Sequence, residues 1–142
     1  MFIRFNYARL ACLCIFSLFY SGALLADLVN IDNVELKKLL NEKTIIIDVR
    51  RADEWTDSGV IENSQLLTFF DSSGGYDAEK WYADLSKISD TATPVILICR
   101  TGMRSKVVGN WLVKSMGYQN VYNVKDGILG WKGAAGETVP PY

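Results

Sequence analysis

The chain has 142 residues, 49% of them apolar, with 15 basic and 16 acidic side chains and a net charge of −1. That length suffices for one cored domain and not two, and the near balance of charge implies no nucleic-acid partner and no basic membrane-surface patch. No histidine is present, which excludes Ser–His and Cys–His catalytic pairs and zinc sites with imidazole ligands.

Residues 1–26 read as a signal peptide. Arg4 and Arg9 form a positive start, and Leu10 to Leu25 is an almost uninterrupted apolar run. Small residues (Ser21, Gly22, Ala23, Ala26) offer cleavage points before Leu24 or Asp27. The competing reading is a retained N-terminal anchor. The run is short for a membrane span, and small residues stand where a peptidase cuts, which favours removal. Residues 27–142 are then the mature domain, exported to the bacterial periplasm, with no stable membrane insertion. Cys12 and Cys14 leave with the leader, so Cys99 is the only thiol that remains. It cannot form an internal disulfide, and no Cys-x-x-Cys supports disulfide exchange.

The mature chain alternates strand and helix. Leu28 to Ile31 reads as a short strand, and Asp32 with Glu35 forms a capping box that opens a helix through Leu40. Thr44 to Val49 is a β-branched run suited to a strand buried on both faces. Ala52 to Trp55 makes a helical turn ended by Ser58-Gly59, and Gln65 to Thr68 is a further strand. Asp77 caps a helix through Leu85, and Val95 to Cys99 is a second buried strand. Ser105 to Met116 is helical, with Val107, Val108, Trp111, Leu112 and Met116 on one face and Gly117 as C-cap. Val121 to Val124 is the last strand, Asp126 to Trp131 a short final helix, and Val139 to Tyr142 an irregular end. Apolar strands alternating with helices predict an α/β fold with a central, mostly parallel sheet covered on both faces.

Cys99-Arg100-Thr101-Gly102-Met103-Arg104-Ser105 is the segment that carries chemistry. It joins the carboxyl end of a predicted central strand to a helix start, the place where open α/β sheets bind ligands. Loop amides, the helix dipole and two arginines favour the thiolate, which is the nucleophilic form. Gly102 allows a tight turn. By position alone a strand-end cysteine is as often a small buried hydrophobe, and the arginines as often plain surface charges. The conjunction of strand end, glycine turn, arginines, helix start and sole thiol favours a reactive site.

This segment resembles the active-site loop of rhodaneses, Cys-Arg-x-Gly-x-Arg-Ser. The resemblance extends to Ile47-Asp48-Val49-Arg50, Glu54-Trp55 and Gly59-x-Ile61. It continues through Gly117-Tyr118, Val121 to Val124, Gly127-Ile128 and Trp131. The family's His is Val60 here, its Gly-Ala is Asn63-Ser64, and its closing Gly-Gly is Asp126-Gly127. The resemblance implies a rhodanese-like fold and a sulfurtransferase. Cys99 takes sulfur from a small anionic donor such as thiosulfate, becomes a persulfide, and passes that sulfur to cyanide or a cellular thiol. It implies that Arg100, Thr101, Gly102, Met103, Arg104 and Ser105 bind the substrate, and that no metal or organic cofactor is needed. Asp48, Arg50 and Glu54 are read as structural.

Two rivals remain. Cysteine phosphatases and arsenate reductases carry one residue more between Cys and Arg, and the shorter loop here suits a sulfur-sized group. A non-catalytic partner-binding module of the same family generally lacks the cysteine, whereas a dedicated sulfur-carrier module would show the same loop.

Overall fold

Local chemistry explains most of the element boundaries. The computed structural model describes residues 26–142, so the leader reading lies outside the described residues up to residue 25. Strand β1 is Val29–Ile31. Asp32 accepts hydrogen bonds from the amides of Val34 and Glu35 and opens α1, Asn33–Asn41. The β-branched run forms β2, Ile45–Asp48, and α2, Ala52–Ser58, stops at Gly59 with a φ of 73°. Strand β3 is Gln65–Leu66, and α3, Ala78–Leu85, is capped by Asp77. Then follow β4, Val95–Ile98; α4, Met103–Met116; β5, Val121–Val124; and α5, Gly127–Gly133. Among the described residues no helix is long and apolar enough to cross a membrane.

All strand pairs are parallel, in the order β1-β5-β4-β2-β3. Alternate strand residues serve opposite layers. Ile47, Val49, Val95, Leu97 and Cys99 pack with Trp81 and Leu85 of α3 and with Val108 and Leu112 of α4. Ile46, Ile96 and Ile98 pack with Leu36 and Leu39 of α1 and with Ile128 and Trp131 of α5. Burying one such aliphatic side chain stabilises by about 1.5–3 kcal/mol, more than a typical backbone hydrogen bond, so the two apolar layers hold β4 at the centre.

Some local expectations are corrected. Helix α4 opens at Met103 and not at Ser105, because Gly102 takes a φ of 88° and acts as its N-cap. Val107 is 58% exposed, since the buried stripe of α4 runs through Ser105, Val108, Gly109 and Leu112. Strand β3 ends early because the Thr68 hydroxyl takes the Arg50 carbonyl where the regular ladder stops. The tail is not irregular throughout. Val139 pairs antiparallel with Val60 through two 2.9 Å backbone bonds, and the Tyr142 hydroxyl donates to the Ser64 carbonyl. Val60, in place of the family's histidine, is buried core. Asn63 takes the left-handed turn with a φ of 65°, and Asp126, with a φ of −105°, needs no glycine.

Candidate active site

Strand β4 delivers Cys99 to the carboxyl edge of the sheet, where it is 1% exposed. Its Sγ accepts the Gly102 amide at 3.2 Å and lies 3.3 Å from Ser105 Oγ. The carbonyls of Cys99 and Arg100 point the other way, accepting the amides of Ile128 at 2.9 Å and Leu129 at 3.2 Å. With those carbonyls tied to α5, the amides of Thr101, Met103, Arg104 and Ser105 carry no backbone bond among the described residues. They are free donors at the positive end of α4. Two glycines permit this close approach. A Cβ at Gly102 would lie 2.1 Å from the Lys125 carbonyl oxygen, and one at Gly127 would lie 2.4 Å from that of Arg100.

The predicted loop residues divide by exposure. Gly102 and Ser105 are buried with Cys99, whereas Arg100, Thr101 and Met103 are exposed, Met103 to 68%. Arg104 is half-buried and donates twice to Glu54, at 2.8 and 2.6 Å. Glu54 also accepts the Arg51 amide at 3.1 Å, closing the N-terminus of α2. Glu54 is therefore more than a prop for its own segment: it ties α2 to the cysteine loop. Arg104 meets any anion with its guanidinium already engaged, while Arg100 has no carboxylate partner among the described residues.

The Arg104 guanidinium holds the Glu54 carboxyl down at about 2, against an ordinary 4.5. A depressed carboxylate contributes stability that is complete above its unfolded value and is lost as pH falls through the folded one. The gap in melting temperature between the wild type and Glu54→Gln should thus be constant above pH 4.5 and close towards pH 2. Gln retains an oxygen that can accept the Arg51 amide, so the pH-dependent part of the difference reads the charge. A gap that persists undiminished at pH 2 contradicts this assignment.

Below the loop, Asp48 and Arg50 form a buried ion pair at 2.6 Å. Every guanidinium N–H of Arg50 has an acceptor: the Asp48 carboxylate, Ser58 Oγ, and the carbonyls of Glu54 and Gly59. Their reading as structural residues matches this geometry, which joins the end of β2 to both ends of α2.

Two clefts open beside the loop. One of about 450 Å³ lies between Arg51, Arg104 and Phe70 to Gly74; one of about 200 Å³ includes Arg100, Arg51, Glu54 and Leu129. Phe70 is set by an aromatic cluster in which Phe69 contacts Phe70, Tyr76, Trp81 and Trp111. A third cleft, of about 440 Å³, is lined by Thr44 to Ile46 and Trp131 at the opposite, amino end of β2.

Fold and site define a parallel α/β protein with a cysteine loop at the carboxyl edge of its sheet, clamped between two helices. The chain belongs to the rhodanese-like domain family, whose model matches residues 32–134. An uncharacterized protein of Rickettsia rickettsii is 32% identical over 93 residues, covering 63% of this chain and 73% of that one. The polysulfide-sulfur transferase homodimer of Wolinella succinogenes has a similar fold, with a TM-score of 0.61 and 24% identity over 79% of this chain and 78% of that one. A rhodanese-like domain protein of Staphylococcus aureus gives a TM-score of 0.55 and 25% identity over 72% of this chain and 90% of that one.

Proposed function

We propose that this protein is a sulfurtransferase that carries sulfane sulfur on Cys99. The observation that carries this reading is the buried Cys99 sulfur, which accepts the Gly102 amide and lies 3.3 Å from Ser105 Oγ in a loop whose other amides have no backbone acceptor among the described residues. The Cys99 thiolate attacks the outer sulfur of thiosulfate. The donor S–S bond breaks, sulfite leaves with the electron pair, and Cys99 bears a persulfide. Cyanide or a thiolate then attacks the outer sulfur, the Cys99 S–S bond breaks, and the thiolate returns. Arg100 draws in the anionic donor, Arg104 fixes the loop through Glu54, and the amides of Thr101, Met103, Arg104 and Ser105 stabilise the extra sulfur. The short loop, with four residues between Cys99 and Arg104, and membership of the rhodanese-like family support this reading over phosphoryl transfer.

Thiosulfate should add one sulfur, about 32 Da, to the Cys99 peptide, and cyanide should remove it. Phenyl phosphate should remain intact. Absence of the adduct overturns the proposal; an adduct that only protein thiols discharge assigns a sulfur carrier. We also propose export to the periplasm, supported by the Arg4/Arg9 start and the apolar run. Intact mass of the native protein should show a start near Leu24 or Asp27, and a full-length chain embedded in the membrane overturns it.

A further inference from the structure

A hydroxyl carries one proton, and that of Ser105 faces two acceptors. Ser105 Oγ lies 2.6 Å from Asn123 Oδ1 and 3.3 Å from Cys99 Sγ, and all three residues are buried. An amide oxygen is a far better acceptor than a neutral thiol sulfur, and 2.6 Å lies well within the range of an O–H···O bond, so beside a thiol the proton rests on the Asn123 side. Ser105 then presents a lone pair to the sulfur. That arrangement suits a neutral thiol, whose S–H donates to Ser105 Oγ. It does not suit a thiolate, which only accepts.

Asn123 stands on β5 beside β1, and its Nδ2 donates to Asn30 Oδ1 at 2.8 Å. Asn30 is exposed. A half-turn of the Asn123 amide exchanges its ends: Nδ2 donates to Ser105 Oγ, and Oδ1 faces Asn30. The Asn30 amide turns in step at the surface, where water meets its other end. The Ser105 proton is then free for the sulfur, and the buried polar atoms of Ser105 and Asn123 keep partners in both states.

We propose that Asn123 is a positioning residue that sets the direction of the Ser105 proton, holding it off the Cys99 thiol and releasing it to the thiolate by turning against Asn30. This rests on the reading of Cys99 as a nucleophile. One O–H bond and two amides rotate; the proton lost by the thiol goes to a buffer base.

Asn123→Val removes the competing acceptor and keeps a side chain suited to a strand. Alkylation of Cys99 by iodoacetamide near neutral pH, read on the Cys99 peptide, should then be severalfold faster than in the wild type. Ser105→Ala should slow it, and the double variant should match Ser105→Ala alone. A purely structural asparagine would give slower alkylation in Asn123→Val, or effects that add in the double variant; either result overturns the proposal. A measurement on the unmutated chain guards against misfolding of the variants. The infrared S–H band, isolated by subtracting the Cys99→Ser spectrum, should fall below that of a free thiol, and an unshifted band overturns the proposal. Neither readout uses a sulfur donor. The expected pattern in a chain that takes no sulfur from thiosulfate defeats the sulfurtransferase reading alone, and sulfur transfer indifferent to Asn123 defeats this inference alone.

Discussion

Arg50→Met is expected to remove about 3–5 kcal/mol of unfolding free energy, because it strands the buried Asp48 carboxylate. Domains of this kind hold only about 5–15 kcal/mol in total. At an ordinary denaturant slope the urea midpoint should fall by about 2 M. The loss extends beyond the ion pair, since Ser58 and the Glu54 and Gly59 carbonyls lose their donor as well. Adding Asp48→Leu should restore part of the stability, as the second change removes the stranded charge. A single variant within about 1 kcal/mol of wild type would show that this pair does not hold the fold.

Gly127→Ala is expected to lower sulfur transfer about a hundredfold while the secondary structure persists. The new Cβ would stand 2.4 Å from the Arg100 carbonyl oxygen and 2.6 Å from that of Cys99, at a φ of 59° that an alanine resists. Relief requires the cysteine loop or the start of α5 to move, and a shift near 1 Å is enough to spoil attack geometry. Of the apolar layers, only Cys99 and Ile128 adjoin this contact, so most of the core is undisturbed. Gly133→Ala is the control: a Cβ there meets nothing within 4 Å, and transfer should be unchanged. Full activity in Gly127→Ala would show that the clamp does not shape the site.

The parallel sheet was legible because β2 and β4 are short apolar runs in an alternating pattern, and their residues are buried as that pattern requires. The cysteine loop was legible because its glycine, arginines and helix start are contiguous. What was hidden depends on contacts across the chain. Glu54 meets Arg104 from 50 residues away, and no local pattern announces a partner at that distance. Asn123 sits in a strand with the look of a surface polar residue, and only the sheet order brings it under Ser105. Val107 reads as core because it lies one turn before Trp111, but the buried stripe is centred on Ser105, Val108, Gly109 and Leu112 and leaves it outside.

The place of β1 at the sheet edge governs when the site comes into being. Its sole strand neighbour among the described residues is β5, with Val29 opposite Tyr122, so the first of the described strands to be made has no partner among them until almost the whole domain exists. The amides of Ile128 and Leu129, which turn the Cys99 and Arg100 carbonyls outward, arrive later still. Contacts so distant along the chain form slowly, after local helices. In a polypeptide emerging from its amino end, the thiol therefore precedes its cradle, and the geometry of the cysteine loop is acquired only when synthesis of the domain is nearly finished.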